Sequence, residues 1–331
     1  MSLAPLLIVT VGPTGSGKSR LPEKVFAELG RKAEYVNILI DDLIETNPAY
    51  KSEVKQIIGT VQQMCNSPDS KDLTDCEQKI YTNPPKKLLD DFSDAYFNIR
   101  RNNQHCKDDY KELTITCDEL NDNRFENALN SNNNIVFEIT GENFPVWLNG
   151  FIEKSAESKY EVIFAYSVVE FDELIIRNIN RTIASIKDFK HDESAPAPRL
   201  PDIREDIFLE KVKKIKDVLT CIKSKHDNDI KSEVTKLVSR LMIFDNNKTM
   251  KLIYDSGNKH YSNFDAAIAG FGNKIPSEEH TLDETCNIPS IKGGKTLKLH
   301  NKSRCGKQNK LLIKRLRASQ KRRKSRKPRN L

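Results

Sequence analysis

Leu6, Leu7, Ile8, Val9 and Val11 form a nearly unbroken apolar run of strand length, the pattern of a strand buried on both faces of a parallel sheet. The run stops at Gly12 and the period then changes. Leu21, Val25, Phe26 and Leu29 recur at helical spacing and line one face, with Gly30 as the stop. A second strand is predicted from Tyr35 to Ile40, ending on the pair Asp41-Asp42. Further strands are predicted at Ile135–Ile139 and Tyr160–Ser167, with a helical crossover near Trp147–Ile152 and another helix from Phe171 to Ile186. Leu241–Phe244 and Met250–Tyr254 flank Asp245-Asn246-Asn247-Lys248, a hairpin turn. Strands alternating with helices imply a three-layer α/β fold with a mainly parallel sheet.

Three segments depart from this rhythm. Residues 51–131 are polar, rich in Asn and Asp, and read as a helical insertion between the second and third strands. Residues 188–202 carry Pro196, Pro198 and Pro201 among charges, the composition of a mobile, lid-like loop before a charged helix over Ile203–Lys225. From Lys274 the periodicity fades, so the folded domain is expected to span 1–273 and a disordered basic tail 274–331.

Charge sharpens that division. The 331 residues hold 54 Lys and Arg against 47 Asp and Glu, a net +7. Residues 292–331 contain 17 basic residues and no acidic one, which leaves 37 basic against 47 acidic, a net −10, for residues 1–291. Such a tail attracts nucleic acid or another anionic surface through counterion release, without sequence preference, and Lys321–Lys327 has the composition of a nuclear-localisation signal. It lacks Phe, Tyr and Trp, so it offers no platform for stacking bases. No apolar run reaches the roughly 18 residues that a membrane span needs, and Pro5–Val11 has no basic residue ahead of it, unlike a signal peptide. Seven cysteines occur without a Cys-x-x-Cys pair. That spacing suggests neither a disulfide framework nor a zinc site, and implies a reduced, intracellular, cytoplasmic protein.

The strongest chemical signal is Gly12-Pro13-Thr14-Gly15-Ser16-Gly17-Lys18-Ser19, which fits G-x-x-x-x-G-K-[ST] with a buried strand before it and a helix after it. Glycines let the backbone curl so that successive N–H groups face phosphate oxygens, and the helix start adds partial positive charge. Lys18 would reach the β- and γ-phosphates of ATP, and the Ser19 hydroxyl would ligate Mg²⁺.

The other strand ends supply the remaining candidates. Asp41, at the carboxyl end of the second predicted strand, either accepts the proton of an incoming hydroxyl or caps the next helix, with Asp42 the better cap of the two. Glu138 closes the third strand and either contacts substrate or Mg²⁺, or marks the solvated rim. Arg177 and Arg181 share a helix face and Arg199 sits in the Pro-bounded loop. Arginines on such a segment suit a lid that spreads transition-state charge, and are equally ordinary as surface charge.

The order of these motifs resembles the zeta-toxin family of P-loop kinases. The matching pieces are GPTGSGKS, NILIDDLIETNPAYK, IVFEITG, ELIIRNINR, APRLP and RLMIFDNNKTMKLIYDSG, across residues 5–260. The resemblance implies transfer of the ATP γ-phosphoryl to a hydroxyl, with nucleotide sugars such as UDP-N-acetylglucosamine as acceptors. By motif position Lys18 and Ser19 resemble the phosphate and Mg²⁺ ligands, Asp41 the catalytic base, and Glu138 and Thr140 the substrate contacts. Arg199, with either Arg177 or Arg181, resembles the phosphate-clamping arginines. Glu142 stands where the toxins carry Arg, and the insertion is longer than the family pattern; both bear on acceptor identity more than on phosphoryl transfer. A second reading, drawn from the tail, is a nucleic-acid-associated ATP-binding protein, or a polynucleotide or nucleoside kinase.

Overall fold

The computed structural model describes residues 3–67, 71–102, 106–108, 113–140, 146–224 and 237–269. Glu142, the expected boundary near Lys274 and the basic tail lie outside the described residues. Strand β1 (Leu6–Val11) leads through a 3-10 turn (Lys18–Arg20) into helix α1 (Leu21–Glu28). Strand β2 (Val36–Ile38) is followed by α2 (Ile40–Glu45), α3 (Pro48–Met64), α4 (Asp75–Thr82) and α5 (Lys86–Phe97), the last running into a π-helical turn (Asn98–Asn102). Short strands β3 (Cys106–Asp108) and β4 (Leu113–Ile115) precede α6 (Cys117–Asn130). The chain continues through β5 (Ile135–Ile139), α7 (Val146–Glu157), β6 (Glu161–Val168), α8 (Phe171–His191) and α9 (Glu205–Ser224). Strands β7 (Arg240–Asp245) and β8 (Lys251–Asp255) and helix α10 (Phe264–Ala269) complete it.

Six strands form one sheet in the order β2-β5-β1-β6-β7-β8. All neighbours are parallel except β8, which returns antiparallel beside β7. The apolar run of β1 places it in the middle. Its residues Leu7, Val9 and Val11 join Phe125 of α6, Ile152 of α7 and Leu219 of α9 in one core. Leu6 and Ile8 face the other way, against Leu21, Val25 and Phe26 of α1. Helices therefore cover both faces, and the three-layer α/β expectation holds. Each of these fully buried aliphatic side chains contributes roughly 1.5–3 kcal/mol relative to exposure.

Strand β2 is shorter than predicted. It stops at Ile38, and Leu39, with extended φ and ψ, occupies the cap position of α2. Asp41 and Asp42 thus lie in the first turn of a helix and Asp42 is not its cap, contrary to the sequence expectation. Carboxylates in a first turn complement the positive end of the helix, which accounts for the chain turning helical before the acidic pair.

The insertion builds a core of its own. Tyr50, Val54 and Ile58 of α3, Tyr81 of α4 and Phe92 of α5 pack with Ile186 and Phe189 of α8. Side-chain caps start its helices α3 and α4: Asn47 accepts from the Ala49 amide at 2.9 Å to start α3, and Thr74 with Glu77 forms a capping box for α4. Lys190 of α8 pairs with the fully buried Glu77 at 3.0 Å, fastening the insertion to the main body. Strands β3 and β4 form an antiparallel pair that the weak periodicity of 51–131 did not reveal.

The cysteine expectation is overturned. Cys65, closing α3, is bonded to Cys76 in α4, with Cα atoms 5.7 Å apart. Cys106 of β3 is bonded to Cys117 at the start of α6, with Cα atoms 5.1 Å apart. Cys221 of α9 is disulfide-bonded as well. The absence of Cys-x-x-Cys spacing speaks about metal and redox motifs. It says nothing about partners 11 residues apart that helix packing brings within bridging distance. Such bonds persist in oxidising surroundings, a departure from the reduced state expected from the sequence.

Candidate active site

The Gly12–Ser19 segment links the carboxyl end of the central strand to α1, at the sheet edge where open α/β folds hold ligands. A turn closes it, with the Ser16 amide donating to the Pro13 carbonyl at 3.1 Å. Gly15 and Gly17 have φ of +82° and +83°, a conformation that L side chains adopt only with strain. A Cβ on Gly15 would also lie 2.7 Å from Asn178 Nδ2.

Asparagines hold this loop from two directions. Asn178 of α8 donates to the Thr14 carbonyl at 2.8 Å and to the Leu174 carbonyl at 2.9 Å. Asn246, just after β7, donates to the Ser16 carbonyl at 2.8 Å, and Ser167 Oγ of β6 donates to the same oxygen at 2.6 Å. All three side chains are buried. Sequence reasoning missed them, since Asn246 read as a turn residue, the ELIIRNINR piece drew attention to its arginines and not to Asn178, and Ser167 carries no motif. With its carbonyls tied back, the loop is held before any ligand arrives.

Lys18 is buried and donates to the Gly12 carbonyl at 2.8 Å and the Pro13 carbonyl at 3.3 Å, with Glu138 Oε1 at 3.5 Å. Burial lowers its pKa, while Glu138 and then Asp41 pull in the opposite direction. Ser16 Oγ is buried with no hydrogen-bond partner. An orphaned hydroxyl beside a buried lysine fits a phosphate ligand. Ser19 is exposed on the 3-10 turn. Among the described residues no group of three or more His, Cys, Asp or Glu gathers to hold a metal.

Asp41 is the meeting point of the other candidates. Its Oδ1 accepts from Arg199 Nη1 at 2.8 Å and from Tyr96 Oη at 2.5 Å. Arg199 Nε also reaches Glu45 Oε1 at 2.6 Å. Burial alone would lower the Arg199 pKa, but Asp41 and Glu45 outweigh it and raise it. Glu45 is pushed up by burial and partly restored by Arg199. Arg181, lowered by burial and then by Arg199, shares with Thr14, Thr140, Tyr96 and Arg199 the lining of a cavity of about 350 Å³. Thr140 is exposed at the rim.

The structure separates the two helical arginines that sequence spacing left equivalent. Arg177 donates to Glu173 at 2.7 Å and to the carbonyls of Asn246 and Asn247 at 2.9 and 3.1 Å. It braces the turn between β7 and β8, whereas Arg181 faces the cavity. The Pro-bounded segment is also more fastened than a mobile lid. Helix α8 continues to His191, the Ala197 amide donates to the Glu45 carbonyl at 2.8 Å, and Tyr50 Oη donates to the Pro198 carbonyl at 3.1 Å.

The fold and this loop define a three-layer α/β protein with a glycine-rich turn of the phosphate-loop pattern at the carboxyl end of its central parallel strand. No family model matches the chain, and no curated protein matches it. Among solved structures it is similar to one from the PezAT chromosomal toxin-antitoxin system of the human pathogen Streptococcus pneumoniae, at 14% identity and a TM-score of 0.44, covering 83% of this chain and 81% of that one. It is also similar to AvrRxo1-ORF1:AvrRxo1-ORF2 with sulphate ions, at 9% identity and 0.41, covering 84% of this chain and 67% of that one. The native AvrRxo1-ORF1:-ORF2 complex matches at 10% and 0.36, covering 76% of this chain and 58% of that one. These distant likenesses carry no chemistry; the residues of the site do. Among the described residues no helix is long and apolar enough to cross a membrane.

Proposed function

We propose that the chain is an ATP-dependent phosphotransferase that moves a γ-phosphoryl group to a hydroxyl of a small-molecule acceptor, with nucleotide sugars the first class to test. The observation that carries this reading is a cavity lined by Pro13 and Thr14 of the phosphate loop and by Arg181 and Arg199, with the Asp41 carboxylate bound to Arg199 at 2.8 Å. When bound, ATP supplies the phosphoryl group and Mg²⁺ offsets charge on its oxygens.

The loop amides and Ser16 Oγ bind phosphate oxygens, and Lys18 exchanges its bonds to the Gly12 and Pro13 carbonyls for phosphate. Ser19 contributes its hydroxyl to the metal. Asp41 accepts the proton of the attacking hydroxyl, and Arg181 and Arg199 stabilise charge that develops in transfer. Glu138 holds Lys18 and, with Thr140, contacts the acceptor. Arg177 acts through the turn it braces. The five disulfide-bonded cysteines named above favour an oxidising setting for the folded chain, against the cytoplasm or nucleus. The net charge of the 292–331 segment favours a second acceptor class, 5′-hydroxyl oligonucleotides.

Incubation with γ-labelled ATP and a panel of nucleotide sugars, nucleosides and 5′-hydroxyl oligonucleotides tests the reading. Label is expected on one small-molecule class. Absence of transfer to every acceptor, with ATP hydrolysis indifferent to all of them, would sink it.

A further inference from the structure

Tyr96 lies in the last turn of α5, inside the insertion, 55 residues from Asp41 in sequence, yet its hydroxyl donates to Asp41 Oδ1 at 2.5 Å. No motif marks it. Its ring is fixed from three sides: edge-on against Tyr50 with centroids 6.3 Å apart, edge-on against Phe97 at 5.4 Å, and beneath the Arg199 guanidinium at 5.7 Å. The π-helical turn begins two residues later, and Arg100 within it is anchored to Asp118 at 2.8 Å. A phenol so constrained is aimed at the carboxylate by its surroundings.

Asp41 Oδ1 has two lone pairs in the carboxylate plane, and both are taken, one by Tyr96 Oη and one by Arg199 Nη1. Any hydroxyl that uses this oxygen as its base must first replace one of them. Arg199 is held additionally by Glu45 and is the harder to move. The phenol hydroxyl is the neutral partner, and it stands where an acceptor hydroxyl would donate.

We propose that Tyr96 is a specificity-determining positioning residue that occupies Oδ1 of the partly exposed Asp41 and yields that oxygen to the acceptor hydroxyl. This rests on the reading of Asp41 as the base. An acceptor that fills the cavity brings binding interactions that offset loss of the Tyr96–Asp41 bond, whereas a water molecule brings none. The phenol thereby suppresses hydrolysis of ATP through Oδ1 while the acceptor site is empty. One hydrogen bond to a charged partner sets the scale, about tenfold in rate or more.

The test measures ADP release without acceptor, together with nucleotide affinity and thermal midpoint, for the full chain and its Tyr96→Phe, Asp41→Asn and Tyr96→Phe/Asp41→Asn variants. Tyr81→Phe, which removes a buried hydroxyl from α4 in the same subdomain, controls for loosening of the insertion. Tyr96→Phe is expected to raise acceptor-free hydrolysis about tenfold at unchanged nucleotide affinity. The double variant is expected to lose that gain, and Tyr81→Phe to show none. Hydrolysis by Tyr96→Phe equal to that of the unaltered chain overturns the proposal and leaves the phosphotransferase reading, which label transfer tests separately. A gain that survives in the double variant overturns the proposal and removes Asp41 as the base. An equal gain in Tyr81→Phe overturns it in favour of general loosening.

Discussion

On the proposed function, the nucleotide side and the acceptor side of the cavity are built by different means. The phosphate loop is one contiguous segment between a central strand and its helix, held by asparagines from α8 and the end of β7. The side that the proposed function gives to the acceptor is assembled from distant pieces: Tyr96 from α5, Arg181 from α8 and Arg199 from a proline-rich loop, with Asp41 of α2 held by Tyr96 and Arg199. Disulfides clip the insertion that supplies Tyr96, and none lies at the loop. The comparison teaches that one half of the site is encoded locally, whereas the other draws on a subdomain with its own core and covalent bracing.

Breaking the clips should separate the two halves most strongly. Replacing Cys65 and Cys76 together with Ser opens a short loop and is expected to cost about 3 kcal/mol of stability in the insertion. Calorimetry should show a lowered transition, with acceptor-dependent transfer reduced and nucleotide affinity, measured by titration, unchanged. Equal loss on both sides would erase the distinction. In the opposite direction, Asn246→Ala leaves the Ser16 carbonyl with one fewer donor and is expected to weaken nucleotide affinity about tenfold. The Arg199–Asp41 contact should survive, so the residual transfer rate at saturating ATP should change little.

A smaller effect concerns Asp122 in α6, whose pKa is pushed up to about 6 by burial and then by Asp118. A carboxyl raised on folding binds more protons in the folded state between its unfolded value and about 6, so its contribution to stability falls as pH rises through that window. Asp122→Asn is therefore expected to stabilise the protein above pH 6, by no more than about 1 kcal/mol given partial solvent screening. The gain should vanish near pH 4, the ordinary range of a carboxyl group. Denaturant titrations at the two pH values check the sign, and neither half of the cavity should respond.

Legibility in the sequence followed the same division. The β1 run, the phosphate loop and the β7–β8 hairpin were readable because each is local: continuous apolar residues, glycines at fixed offsets, an Asp-Asn-Asn turn. Asp41 was assigned to a strand end and lies instead in the first turn of α2, because an acidic first turn after an apolar run reads equally well either way. Tyr96, Asn178 and Ser167 were invisible, since their partners lie 55, 164 and 151 positions away. The cysteine pairs failed for a related reason. Their closeness is created by helices packing on one another, and no spacing rule anticipates that.

Asp41 joins the two halves, so the most direct measurement is phosphoryl transfer by Asp41→Asn at saturating ATP, paired with its nucleotide affinity. Loss of a general base costs on the order of 10²–10⁴-fold in rate. The account expects a fall of that size while nucleotide binding stays within about twofold of the unaltered chain, since the loop is held from elsewhere. Transfer that continues at full rate in Asp41→Asn would contradict it.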